Sequence, residues 1–471
     1  MTGTFRDPSG SLFDVDGRIL RNIRGPQAAA FRSMVDSAVV KALIERGLLV
    51  ATRPIEASEV PAALRGRDGE WFGHERIGFV SVPAEWSAMM LAHAARHTLT
   101  IGLELLRDGY VLKDATPANV LFRGARPVFV DLPSIERFAG GNGLWLARHQ
   151  FETCFLLPLM ASLDLGYPIQ SALADPATGL SHERLARLYG PRRWWSVDRV
   201  RHVALAAALG GGTRGAEAAL ARPTSGRASD LEKAKYVLEQ SLRGLLRAID
   251  RLEGRLRQRD SHWSAYAATR SHYADEDLRL KREFVGAVLE AGKPRWVLDV
   301  GANTGEFSMM AAAASADTVA VDLDEVSVSA IHATAAGSRL PIQALVVDLS
   351  QPTPASGWCN HERKSFLERA QGRFDLALML AVGHHLRVTA GIPLDQILDT
   401  GLRIGGGSLL FEFVPTTDPM FRSIARGREP LYADNTVENC RTLLESRGRI
   451  EKSVTLPNGR TLFWVRGAAV G

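Results

Sequence analysis

The stretch WVLDVGANTGEFS (296–308) decides the fold of half the chain. Its apolar and β-branched start, Trp296, Val297, Leu298 and Val300, reads as a short buried parallel strand. The run passes Asp299 to Gly301, continues as Ala302-Asn303-Thr304-Gly305, and opens an apolar helix from Glu306 onward. Strand, glycine turn and helix start together suit a nucleotide-type ligand. Glycine lets backbone approach it, and the free N–H groups of the helix N-terminus face it. The spacing is G-x-x-x-G (Gly301, Gly305) and not G-x-G-x-x-G, which disfavours hydride chemistry with a nicotinamide dinucleotide.

Four more strand-like runs follow. TVAVDLD (318–324) carries Asp322, where a carboxylate suits a bidentate bond to a ribose diol. IQALVVDLS (342–350) carries Asp348, RFDLALMLAVGHHL (373–386) ends in Gly383, His384 and His385, and GGSLLFEFVP (406–415) holds Glu412. In this order the segment resembles the class I S-adenosylmethionine-dependent methyltransferases, with VLDVGANTGEFS as their first motif. The resemblance spans roughly 265–471. It implies an α/β, Rossmann-like, seven-stranded methyltransferase sheet. A last helix at 435–446 would precede RIEKSVTL and GRTLFWVR, an antiparallel pair around Pro457-Asn458-Gly459.

The resemblance also implies S-adenosyl-L-methionine as cofactor. Asp299, Gly301, Asn303 and Gly305 would form the bed for its methionine end, Asp322 would hold the ribose, and Asp348 would face the adenine side or merely cap a turn. Methyl transfer from a sulfonium needs the nucleophile held in line, plus a base when the acceptor is a hydroxyl. His384 and His385 are the expected bases, since imidazole titrates near neutrality, with packing as the alternative role. Glu412 is a weaker candidate. No Asn/Asp-Pro-Pro-aromatic tetrapeptide follows the fourth strand and no cysteine lies just after the fourth or fifth, so amino-methylation of adenine or glutamine by that route and the covalent route to pyrimidine carbons are disfavoured. An oxygen acceptor on a small molecule or saccharide is expected. The insert 357–369 would shape the acceptor pocket or form a solvated helix.

The chain has 471 residues, 46% hydrophobic and 23% charged, as in ordinary globular proteins with two or three domains. No run reaches the roughly 18 apolar residues of a membrane span, and the start MTGTFRDPSG lacks the pattern of a secretory signal. A cytoplasmic enzyme with no membrane partner is expected. Three separated cysteines (Cys154, Cys359, Cys440) indicate neither a disulfide frame nor a Cys-pair metal site, and no metal is expected. Net charge is +5, carried almost wholly by arginine, with no dense basic block interleaved with aromatics; a nucleic-acid partner is not required.

Toward the N-terminus, residues 7–23 read as a hairpin and 27–46 as a helix. Two strands (48–55 and 77–82) and a helix over 84–108 would follow. In GYVLKDATPANVLFRGARPVFVDLPSIE (109–136), two strand-like runs flank the turn 123–126, and Asp114, Asn119 and Asp131 punctuate them. Asp-x4-Asn followed by a later Asp resembles the catalytic loop of protein-kinase-like and aminoglycoside-phosphotransferase-like folds. There the first Asp receives a hydroxyl proton, and the Asn and second Asp hold magnesium. The sequence departs from that pattern: Lys113 precedes Asp114, no glycine-rich loop lies upstream, and Arg21 is the nearest candidate for the strand lysine. Asp114 and Asn119 otherwise cap a loop beside a hairpin.

Residues 144–222 are helical in pattern, and Pro, Ser and Gly at 223–226 mark a boundary. Ser229-x-x-Glu232 reads as a capping box opening a long helix with Leu231, Leu238, Leu242, Leu245, Ile249, Leu252 and Leu256 on one seam. That helix would pack on one of the domains or form a homodimer through 229–256. In the lead-in 262–292, Trp263, Tyr266 and Tyr273 would be a cofactor lid or packing residues. The expected organisation is a kinase-like, non-catalytic domain (1–225), a helical connector (226–264) and a methyltransferase domain (265–471). The joining of a DATPANVLF loop to such a core also resembles rhizobial nodulation-type methyltransferase-like proteins, which implies a carbohydrate signal or another secreted metabolite as acceptor. Rival readings are a bifunctional kinase–methyltransferase and a cofactor-binding scaffold without catalysis.

Overall fold

The structure, a computed structural model, describes residues 3–4, 10–140, 143–208, 228–268 and 275–467. The boundary signal at 223–226 and Tyr273 lie outside the described residues, as do the side chains of Ser229, Trp263 and Tyr266. The chain divides into two compact units, Met1–Gln258 and Arg259–Gly471.

The first unit opens with a five-stranded antiparallel sheet. Its strands are β1 (Gly3–Thr4), β2 (Gly10–Val15), β3 (Arg18–Ile23), β4 (Thr52–Ile55) and β5 (Glu70–His74), in the order β1-β2-β3-β5-β4. Phe13, Leu20, Ile55, Val60, Leu64 and Trp71 form a buried cluster over this sheet. The expected helix over 27–46 is two helices, Gln27–Val35 and Ala38–Glu45. Ser37 is extended between them, its hydroxyl donating to the Met34 carbonyl at 2.7 Å, the local bond that lets serine compete with a continuing helix. The expected strand at 77–82 is not one; the sheet uses EWFGH at 70–74 instead. The helix Ala88–Arg107 is capped by the Ser87 hydroxyl, which accepts from Met90 N–H at 3.3 Å. Next come β6 (Tyr110–Leu112), β7 (Val120–Arg123), β8 (Arg126–Phe129) and β9 (Ile135–Arg137), paired as β6–β9 and β7–β8.

The long helix Ala228–Ala268 belongs with this unit as far as Gln258. Leu238, Leu242, Leu245, Ile249, Leu252 and Leu256 are buried, and Arg96 and Asp198 bond Glu253 and Arg251. The seam that suggested a second copy is covered by the first unit itself; only Leu231 of that series is exposed.

The second unit is a seven-stranded α/β sheet. Its strands are β10 (Trp296–Val300), β11 (Asp317–Asp322), β12 (Ile342–Val346), β13 (Leu376–Met379), β14 (Ser408–Phe413), β15 (Gly448–Thr455) and β16 (Thr461–Gly467). The order is β12-β11-β10-β13-β14-β16-β15; the first five are mutually parallel, and β16 runs antiparallel to both neighbours. Phe284, Val285, Val288 and Leu289 of the helix Asp275–Gly292 pack on Val297, Leu376, Leu378, Leu410 and Trp464 of the sheet. The chain runs outward from β10 to β12 and then returns to β13. The carboxyl ends of β10 and β13 therefore border a topological switch point, where open α/β sheets leave a crevice.

Candidate functional site

The turn after β10 meets the turn after β13 at this crevice. Gly301 and Gly305 adopt φ of +72° and +80°, and Asn303 between them is also left-handed at +47°. A Cβ on Gly301 would lie 3.1 Å from Val382, and one on Gly305 would lie 2.8 Å from Ile331. Both positions need glycine, for backbone sign and for space. Opposite them Ala381 is left-handed at +56°, a strained conformation for a residue with a side chain, just before Gly383, His384 and His385.

Asp322, at the end of β11, ties this turn together. Its Oδ2 accepts from Asn303 N–H at 2.8 Å and its Oδ1 from Asp324 N–H at 2.9 Å. Burial raises its pKa against those two hydrogen bonds. Asp299 is buried inside β10, where its Oδ2 accepts from the Ser308 hydroxyl at 2.6 Å. Burial pushes the Asp299 carboxyl up to about 6; Ser308 and Lys281 pull the other way, and Asp322 adds repulsion. Asp348 is exposed beyond β12, and its Oδ1 accepts from the N–H and hydroxyl of Ser350 at 2.8 and 2.6 Å. That is the turn-capping geometry held open as its alternative. Leu323, overlooked in the sequence, is 71% exposed between Asp322 and Asp324, an apolar platform beside the carboxylates.

His384 and His385 lie not at a strand end but in the first turn of a short helix, Gly383–Val388. Their rings are 4.2 Å apart. His384 is buried, neither ring nitrogen has a hydrogen-bond partner among the described residues, and burial, aided by His385 and Arg460, drops its pKa to about 3. His385 is exposed; partial burial lowers its pKa and the Asp322 carboxylate pulls it back up. The structure thus separates two neighbours that the sequence treated alike.

Behind them runs a buried charge network. Glu412 of β14 pairs with Lys281 at 2.6 Å and Arg460 at 3.4 Å, and Arg460 Nε donates to Asp418 at 2.8 Å. Glu412 is held between two cations. Sequence reading missed Lys281, Asp418 and Arg460; the one signal was a lysine in a helix otherwise served by arginine, RLKREF. Concave space also opens at the opposite end of the sheet, about 230 Å³ lined by Val288, Gly292, Asp375, Gly407, Trp464 and Arg466. Its one carboxylate, Asp375, already accepts from the N–H groups of Arg295 and Trp296.

In the first unit, Val130 N–H donates to the Asn119 carbonyl and Lys113 N–H to the Ser134 carbonyl, so the loops bearing Asp114, Asn119 and Asp131 lie side by side. Asp114 Oδ1 accepts only a long bond, 3.4 Å, from Gln150. The Asn119 Nδ2 is buried without a hydrogen-bond partner among the described residues. Arg21, buried on β3, reaches Asp131 at 3.6 Å and donates to His74 Nε2 at 3.3 Å.

No protein-family model matches the chain. Nodulation protein NoeA of Rhizobium meliloti (strain 1021) is 29% identical over 470 residues, covering 98% of this chain and 95% of NoeA. Among solved structures, the bifunctional kinase–methyltransferase WbdD aligns at 20% identity and a TM-score of 0.30, over 41% of this chain and 40% of WbdD. The match therefore covers under half of WbdD. N-methyltransferase NodS of Bradyrhizobium japonicum WM9 aligns at 15% identity over 41% of this chain and 97% of NodS, with a TM-score of 0.30. Magnesium protoporphyrin IX methyltransferase ChlM of Synechocystis PCC 6803, with bound SAH, aligns at 18% over 41% of this chain and 84% of ChlM, again at 0.30. Along nearly its whole length this chain is similar to a rhizobial nodulation protein, the kinship that its DATPANVLF loop and glycine-turn α/β sheet suggested.

Proposed function

We propose that the chain is an S-adenosyl-L-methionine-dependent methyltransferase acting on an oxygen of a small molecule or saccharide. The observation that carries this reading is the Asp322 carboxylate, bonded across the mouth of a left-handed glycine turn at the switch point of the sheet. The sheet order supports it, because the resemblance implied seven strands closed by an antiparallel pair. The turn fits the cofactor: at either glycine a Cβ would crowd Val382 or Ile331 and force the turn apart, and an exposed leucine stands beside the ribose-binding candidate.

Gly301, Asn303 and Gly305 would offer backbone to the methionine end, Asp322 the ribose acceptor, and Asp348 an exposed carboxylate on the adenine side. Bound S-adenosyl-L-methionine supplies an activated methyl group. Asp299 keeps the floor of the site negative once ionised. His385, exposed and coupled to Asp322, would take the proton of the acceptor hydroxyl on a ring nitrogen. His384, neutral and unpartnered, would hydrogen-bond the acceptor and orient it.

A second reading adds phosphotransfer by the first unit. The orphaned Asn119 amide beside Asp131 favours it, and the Arg21–Asp131 pair, which offsets the charge a magnesium ion would need, opposes it. Parallel calorimetric titrations with S-adenosylmethionine, S-adenosylhomocysteine and Mg-ATP separate the cases. Binding of the first two alone is the expected result. Binding of ATP as well, lost in Asp131→Ala, would establish the bifunctional reading. Binding of none would leave a scaffold.

A further inference from the structure

Residues 188–197 of the first unit, LYGPRRWWSV, turn outward side chains that a fold normally hides. Leu188 is 45% exposed, Trp194 53%, Trp195 71% and Val197 82%. Leu188 lies in the helix His182–Tyr189, Trp194 ends the short 3₁₀ helix Gly190–Trp194 with Trp195 just after it, and Val197 opens the helix Val197–Arg199. The turn is braced from beneath. The buried Tyr189 donates its hydroxyl to Asp164 at 2.7 Å, and Arg199 donates to the same carboxylate at 3.0 Å and to the Arg192 carbonyl at 3.3 Å. Exposure here belongs to an anchored turn.

The patch is cationic as well as apolar. Arg192 lies over the Trp195 ring at 5.6 Å and Arg193 over the Trp194 ring at 5.5 Å. Residues 182–205 hold six arginines and two carboxylates, and one of the latter, Asp198, is taken by Arg251 at 2.7 Å. Arg192 and Arg193 have no carboxylate partner among the described residues.

We propose that this turn docks the protein on the surface of an anionic lipid bilayer. Indole sits at the boundary of hydrocarbon and headgroup because its ring is apolar and its N–H polar. Leu188 and Val197 add aliphatic surface, and the arginines reach back to lipid phosphates along their own stems. A protein partner of ordinary stability would need roughly 20–30 residues a side, more than one ten-residue turn provides. A saccharide platform would need open indole faces, and these carry guanidinium groups. The absence of a spanning segment, from which no membrane partner was expected, does not bear on peripheral docking.

The test is co-sedimentation of the full chain with vesicles of phosphatidylglycerol in phosphatidylcholine and with phosphatidylcholine alone. Binding to the first only is expected. Replacing both arginines (Arg192→Ala with Arg193→Ala) should weaken it by about fivefold per charge. Trp194→Ser with Trp195→Ser should abolish it, together with quenching of tryptophan emission by brominated acyl chains. Arg192 and both tryptophans are exposed, Arg193 is half-buried, and an unchanged thermal midpoint shows that the variants fold. Equal binding to neutral vesicles, no binding to anionic ones, or wild-type binding by the tryptophan variant would overturn the proposal. Retention on immobilised polyglutamate without vesicle binding would overturn it in favour of an acidic protein partner.

Discussion

Asp322→Asn separates the ligand-holding role of this carboxylate from its structural one. Wild-type Asp322 accepts the Asn303 and Asp324 N–H groups at 2.8 and 2.9 Å. Asparagine keeps one oxygen, so one of those N–H groups loses its partner, at a cost of about 1 kcal/mol in stability. On the ligand side, the charge-assisted bonds to a ribose diol become neutral ones. That loss is roughly 1–3 kcal/mol, or about 5- to 150-fold in affinity for S-adenosylhomocysteine. Calorimetry gives the second quantity and urea denaturation the first. The pH dependence is a further check. The folded-state pKa of Asp322 is raised, so wild-type affinity should fall as pH drops through it, while the variant stays flat. Wild-type affinity in Asp322→Asn at neutral pH, with folding intact, would refute the reasoning and mean that the ribose is held elsewhere.

Three further outcomes are expected. His385→Ala should lower turnover by roughly 10²–10⁴-fold with unchanged cofactor affinity, whereas His384→Ala, which vacates a buried site, should also cost stability; full turnover in both variants would reduce the pair to packing. Asp299 is raised from 3.8 to about 6, so between those values the folded chain keeps a proton that the unfolded chain has lost. The contribution of this group to stability should be greatest below the lower value and decline as pH rises to about 6, by roughly 3 kcal/mol at most. Asp299→Asn should remove that slope in urea denaturation followed across pH; a slope of equal size in the variant would place the titration on another group. Glu412→Gln deprives the buried Lys281 and Arg460 of their shared carboxylate and should destabilise the fold by about 3–5 kcal/mol. A denaturation midpoint like that of the wild type would mean that the two cations re-pair within the core.

The glycine turn, the β7–β8 hairpin and the β15–β16 pair were legible in the sequence because their signals are local. A β-branched run, a glycine where φ must be positive, and an Asn-Gly turn each act within a few residues. Local signals misled where two local preferences competed. Ser37 broke an apolar helix, and EWFGH took the place between β3 and β4, leaving the more apolar 77–82 outside the sheet. Periodicity revealed the seam of the long helix but not what covers it, since the same leucines would serve a second copy or this chain's own first unit. His384 and His385 looked equivalent until a helix turned them about 100° apart, one into the core and one toward Asp322. Lys281, Glu412, Asp418 and Arg460 come from a helix, a strand and two loops. Only the folded sheet brings their charges together, and burial then makes them matter, because a low-dielectric interior strengthens their pairing and penalises any one left alone.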